Sequence, residues 1–164
     1  MNTRVSPHVH AKTMLNKVPE VILAFWVIKI LCTTVGETFA DYLNDKLGMG
    51  LTNTTYIMSA VLVVSLFFQF RLRRYIPAVY WLAVVLISVV GTLITDNLVE
   101  NMGVTLPVTT TVFSICLALA FWAWYRSEKT LSIHSIVTTR REAFYWLTVL
   151  FTFSLGTAAG RPDS

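Results

Sequence analysis

The sequence predicts an all-α fold, a polytopic helical membrane protein of about five transmembrane helices made from tandem helical hairpins. Three observations predict it: five long apolar blocks, basic residues gathered in alternate loops, and a segment that recurs 55 residues downstream. Of the 164 residues, 55% are hydrophobic and 13% charged, with a mean hydropathy of +0.63. That leaves too few polar groups to cover the surface of a soluble domain of this size.

The chain begins with a polar tail, residues 1–18, that carries Arg4, Lys12 and Lys17 with His8 and His10. It has neither the early apolar core nor the small-residue cleavage site of a signal peptide, so the block that follows reads as a retained span. The apolar blocks cover 20–43, 53–70, 76–99, 106–125 and 143–160. Each is close to the ~20 residues that an α-helix needs to cross a bilayer. Blocks this continuous are not the alternating segments of a barrel, and inside lipid only helices or closed barrels satisfy their own backbone.

Charge placement sets the expected topology. Arg71, Arg73 and Arg74 share one loop, and Arg126, Lys129, Arg140 and Arg141 share another, while the opposite side has only Lys46 and Arg161. The positive-inside rule then puts the N-terminus and both basic loops in the cytoplasm and the C-terminus outside. The net charge of +4 is thereby explained by topology, and no nucleic-acid partner is expected. Cys32 and Cys116 sit singly in spans and read as small apolar residues.

The recurrence aligns 26–71 with 81–126 without a gap, and thirteen of the 46 positions are identical. Trp26 falls on Trp81, Gly36 on Gly91, Asp41 on Asp96, Gly48 on Gly103, Ser59 on Ser114 and Arg71 on Arg126. A third copy follows at an offset of 65, where Tyr145-Trp146-Leu147 echoes Tyr80-Trp81-Leu82 and Gly156-Thr157 echoes Gly91-Thr92. Its Asp position holds Arg161, and its second helix is missing. The expectation is a truncated or frame-shifted product, with a natural short paralogue as the alternative. The units are 19–74, 75–126 and, after a cytoplasmic loop at 127–142, a truncated third at 143–164. Each out-and-back hairpin enters the membrane in the same direction, so the repeats are parallel.

Several stretches carry a family likeness. They are Lys17-Val18-Pro19-Glu20-Val21, Phe25-Trp26, Thr34-Val35-Gly36-Glu37-Thr38, the second-unit run from Val90 to Asn97, and the loop from Tyr125 to Ile136. Over residues 17–160 the chain resembles bacterial uncharacterised membrane proteins built from four tandem two-helix repeats of unknown function, each marked by a tryptophan. The resemblance implies a fold and a membrane address, and the expected location is a bacterial inner membrane. It implies no reaction.

Ionisable groups inside spans are costly, roughly 2.5–3.5 kcal/mol each at mid-helix. Lys29, Glu37 and Asp41 lie in the first span and Asp96 in the third. Residues four apart share a helix face, so Thr33, Glu37 and Asp41 form a polar stripe, with Ser88, Thr92 and Asp96 equivalent to it. Two such stripes on parallel helices are expected to converge near the outer leaflet, with Gly36 and Gly91 allowing close approach. Oxygen-rich sites of this kind suit protons and hard cations; no metal is assigned. The competing reading is that Asp41 and Asp96, beside Asn44-Asp45 and the run from Asn97 to Asn101, are merely solvated. Lys29 is expected to pair with a carboxylate of another helix or to reach the inner headgroups.

The aromatics read as structural. Trp122, Trp124, Tyr125, Tyr75, Tyr80 and Trp81 suit an interfacial belt, and Trp26, Trp81 and Trp146 suit packing between hairpins. His134 falls in a loop, and His8 with His10 makes only a weak metal signal. There is no Gly-rich phosphate loop, no His-Glu-x-x-His and no nucleophile elbow, so no catalytic residue, enzyme activity or cofactor is expected. The leading expectation is a transporter of a small cation or a proton-coupled solute, using Glu37, Asp41 and Asp96 with Lys29 as counter-charge. The alternatives are a non-transporting scaffold and an inactive remnant. The lipid bilayer is the expected partner, and a homo-oligomer would be needed to enclose a pathway.

Overall fold

The computed structural model describes residues 18–133 and 136–161. Among these, α1 (Leu23–Asp41) continues into a π turn at Tyr42–Lys46, and α2 is Leu51–Arg71. Then α3 (Pro77–Asp96) continues into a second π turn at Asn97–Asn101, followed by α4 (Leu106–Glu128) and α5 (Thr139–Gly160). The basic tail with Arg4, Lys12, Lys17, His8 and His10 lies outside the described residues, as does His134. All five helices are long and apolar enough to span a membrane.

The helix ends follow local chemistry. Pro77 opens α3 and Pro107 stands in the first turn of α4, where a missing N–H costs no intrahelical bond. The π turns occupy equivalent repeat positions, and each is followed by a left-handed glycine, Gly48 at φ 61° and Gly103 at φ 67°. Two hydrophobic blocks were bounded differently in the sequence. The α4 helix runs on to Glu128, and α5 starts at Thr139, so both ends of the expected loop at 127–142 are helical. Thr138 is the reason at the second boundary: its side chain caps the new helix by accepting from the Arg141 N–H at 3.4 Å. Arg141 then pairs with Glu128 at 2.8 Å, fastening the start of α5 to the end of α4.

Packing departs from the simple hairpin. There is no extended interface between α1 and α2, or between α3 and α4. Instead α2 lies on α3 and α4 lies on α5, so each second helix packs on the first helix of the next unit. The first helices also touch in series, α1 on α3 and α3 on α5. This makes α3 the centre, with 67% of its most apolar stretch buried. Elsewhere large apolar side chains face outward, Leu23 at 81% exposure and Val63 at 65% among them, as lipid contact requires.

The contact between first helices repeats in detail. A Cβ at Gly36 would stand 2.6 Å from Ser88 Cβ and 3.2 Å from the Val89 amide nitrogen. At Gly91 the neighbours are Phe153 Cβ at 3.2 Å and the Ser154 nitrogen at 3.3 Å, the same positions one unit later. The Ser88 hydroxyl donates to Thr33 O at 3.3 Å, and Ser154 Oγ donates to Gly91 O at 3.4 Å. Towards the basic side, Phe25 meets Trp81 at 5.7 Å between ring centroids, and Tyr80 meets Trp146 at 5.3 Å. Each tryptophan therefore packs on the aromatic residue that precedes the tryptophan of the unit before. The Tyr80 and Tyr145 hydroxyls hydrogen-bond to each other in this ladder.

The belt reading applies to Trp122 and Tyr125, which are exposed, but Tyr80 and Trp124 are buried. Trp124 stacks between Phe121 and Phe144, with both centroid distances 6.4 Å, because α5 covers that face of α4. If the glycine contacts hold the first helices together, Gly36→Val and Gly91→Val should each lower stability by about 1–3 kcal/mol. Thermal unfolding of the detergent-solubilised protein measures this, and an unchanged transition in both would contradict it.

Candidate functional site

Because α1 and α5 both flank α3, their facing sides leave a groove with α3 at its floor. Its end near the π turns is a cleft of about 390 Å³ lined by Glu37, Asp41, Thr92, Thr157 and Arg161, with Gly156 and Gly160. A second stretch of about 340 Å³ shares Glu37, Gly156 and Thr157 and extends towards the basic side past Thr33, Lys29, Trp26 and Phe153. The groove lies where ridges of small residues, Gly91-Thr92 and Gly156-Thr157, leave space that larger side chains would fill.

Repeat positions meet across it in layers. Glu37, Thr92 and Thr157 are equivalent, and the Thr92 and Thr157 hydroxyls lie 3.3 Å apart. Asp41, Asp96 and Arg161 are equivalent too. Arg161 Nη2 is 2.9 Å from Asp96 Oδ1 and 3.3 Å from Glu100 Oε1. The third unit's change from acid to base thus supplies the partner of the second unit's acid. The Asp96 side chain is only 5% exposed, so the solvated reading does not hold for it: a buried carboxylate needs a compensating charge. Asp41 is exposed at the cleft mouth, and Glu37 is half-buried within it.

Other expected residues sit differently from the sequence reading. Lys29 has no carboxylate within ion-pair distance among the described residues. Its Nζ stands 5.6 Å from the Trp26 ring, 5.8 Å from Phe153 and 5.9 Å from Phe25, a cation held against aromatic faces. Trp26 is 52% exposed on the groove, unlike buried Trp146. The Thr33 hydroxyl donates to Lys29 O at 2.9 Å, so its proton stays on its own helix. Asn97 is a clamp: its Nδ2 donates to Thr55 Oγ1 at 2.6 Å and to Leu51 O at 3.2 Å, tying the second π turn to the start of α2.

One buried polar pair escaped the sequence reading. Gln69 on α2 donates from Nε2 to Glu142 Oε1 on α5 at 3.1 Å, and both residues are almost fully buried. The signal available was a glutamine inside an apolar block, at the position where the second unit carries Trp124. Among the described residues, no group of three or more His, Cys, Asp or Glu side chains could hold a metal ion. Around the cleft mouth Glu37, Asp41, Asp96 and Glu100 outnumber Arg161, which leaves the mouth acidic. A low-dielectric cleft with one sign of charge concentrates ions of the other sign.

The ion pair makes a measurable statement. Arg161→Met should lower stability by about 1–3 kcal/mol, less than the loss of a fully buried partner because Arg161 is one-third exposed. Adding Asp96→Asn should recover most of that loss, so a double-mutant cycle should give a coupling above about 0.5 kcal/mol. Additive losses would mean the two side chains do not support each other.

Comparison with known families agrees with the internal recurrence. No curated protein and no solved structure matches the chain. The model of one family, described as Repeat of Unknown Function (DUF347), matches twice, at residues 24–75 and 79–130. These stretches hold α1 with α2 and α3 with α4, and the α5 unit lies outside them. With more than half of its length so matched, the chain belongs to the family of proteins built from this repeat of unknown function.

Proposed function

We propose that this protein carries a small cation or a proton-coupled solute across the membrane by way of the groove between α1 and α5. The observation that carries the reading is the cleft itself. Two carboxylates, Glu37 and Asp41, and two hydroxyl-bearing residues, Thr92 and Thr157, border a space of about 390 Å³ within a bundle of spanning helices. Glu37 is the group whose charge or proton would follow the solute, and Asp41 at the mouth attracts it. Lys29, further along the groove, is a fixed positive charge that limits passage towards the basic side. With the basic loops in the cytoplasm of a bacterial inner membrane, the acidic mouth opens outward. No bond-making step is assigned to any residue.

A second reading has its own support. The Thr92–Thr157 contact and the Ser88 bond to Thr33 are interhelical links, and a scaffold protein needs such links without a solute. Flux assays in liposomes separate the two. Under the transport reading, Glu37→Gln should cut proton or monovalent-cation flux at least about tenfold, the effect of ~1.4 kcal/mol at the limiting step, with an unchanged helical spectrum. Equal flux in wild type, Glu37→Gln and Asp41→Asn would reject it. Absence of flux in all three, with altered assembly in the variants, would favour the scaffold.

A further inference from the structure

We propose that the groove between α1 and α5 takes a short zwitterion of about dipeptide length, with its ammonium end at Glu37 and its anionic end at Lys29. The inference rests on the reading of the groove as a solute path and names the class of solute. Both residues line one continuous space. Glu37 borders the cleft at the π turns and also the stretch beyond it, and Lys29 borders that stretch further towards the basic side. Among the described residues, neither side-chain charge has an ion-pair or hydrogen-bonding partner. The rings of Trp26, Phe153 and Phe25, at 5.6, 5.8 and 5.9 Å from Lys29 Nζ, offset only part of the cost of a charge inside a span.

The two charges cannot neutralise each other. They are eight residues apart on one helix, a rise of about 12 Å, and helical side chains lean the same way along the axis, which preserves that spacing. A bare cation would compensate Glu37 and leave Lys29 as it was, and a bare anion would do the reverse. A ligand that carries both charges compensates both ends. With a charged hydrogen bond of about 2.8 Å at each end, about 6 Å remains between the ligand's own charged atoms. An α-amino acid, whose amine and carboxylate sit on one carbon, is too short to reach both. An extended dipeptide, at about 7 Å for two residues, has the required length.

The walls suit such a ligand. Ile30 and Phe153 give its middle an apolar side to lie on. Gly156 borders both stretches of the groove, and a Cβ added there would meet nothing within 4 Å, so space is left open beside Glu37. The order of charges also fixes the direction. With Asp41 and Glu37 towards the mouth and Lys29 within, a reversed zwitterion would set like charges together at both ends.

Isothermal titration of the detergent-solubilised full-length chain with δ-aminovalerate tests it, with glycine, pentylamine and valerate as controls. δ-Aminovalerate carries its amine and carboxylate at the ends of an unbranched chain of near dipeptide length. The wild type should bind it at least about tenfold more tightly than any of the controls. Lys29→Met should bring it down to the affinity of pentylamine while leaving pentylamine itself unchanged. Glu37→Gln should bring it down to the affinity of valerate, a crossed pattern that loss of the fold cannot produce. Gly156→Leu, whose side chain has room within the chain, should keep the helical spectrum and weaken δ-aminovalerate at least about tenfold. A wild type that binds δ-aminovalerate no better than glycine or pentylamine would overturn the proposal, whatever the variants do. Glu37-dependent proton or cation flux without this preference would overturn it and leave the transport reading standing. The preference without any flux would uphold the ligand class and remove the transport reading.

Discussion

The close approach of successive first helices at Gly36 and Gly91 is the constraint on which the rest of the molecule depends. In lipid there is little hydrophobic gain from bringing two apolar helices together, so association rests on dispersion contacts and on interhelical hydrogen bonds. Both need short distances. A side chain at Gly36 would hold Ser88 away, and the Ser88 hydroxyl could no longer reach Thr33 O. The Phe25–Trp81 and Tyr80–Trp146 contacts depend on the same spacing, as does the Tyr80–Tyr145 hydroxyl pair.

From that spacing follows the interleaving of the repeats. Once α3 is drawn onto α1 and α5 onto α3, each second helix finds its largest apolar neighbour in the following unit. The π turns and the left-handed glycines Gly48 and Gly103 carry the chain out of line with the first helix and allow this. Asn97 holds the second turn to α2, and Tyr42 stands at the equivalent position of the first turn. A unit of this kind is therefore not an independent hairpin. Its second helix is completed by the next unit, as in other repeat architectures where neighbours bury one another.

The groove shows how one repeated position can be put to different uses. The Asp41, Asp96 and Arg161 layer keeps one exposed acid, one buried acid and one base that neutralises the buried acid. In the next layer Glu37 faces two threonines. A fully symmetric repeat would have set three acids side by side, with mutual repulsion in a low-dielectric setting. Changing one to arginine removes that cost and still leaves the mouth acidic. Lys29, without a carboxylate partner among the described residues, is held by the faces of three aromatic rings instead.

Much of this was legible along the chain. The sequence by itself determined the five spans, because backbone in lipid must satisfy its own hydrogen bonds and only long apolar helices do so. It also determined the repeat register, hence which glycines, tryptophans and acids are equivalent, and it placed Glu37 level with Thr92 and Asp41 level with Asp96. Tertiary structure alone decided which helices touch. Apolar patterning on all sides of a lipid-facing helix does not say which neighbour it meets, so the α2–α3 and α4–α5 contacts were hidden. The same is true of the Asp96–Arg161 pair and the Gln69–Glu142 bond, whose partners are 65 and 73 residues apart. Such pairings form only when helices approach within a few ångströms, a distance set by packing and not by the order of residues in the chain.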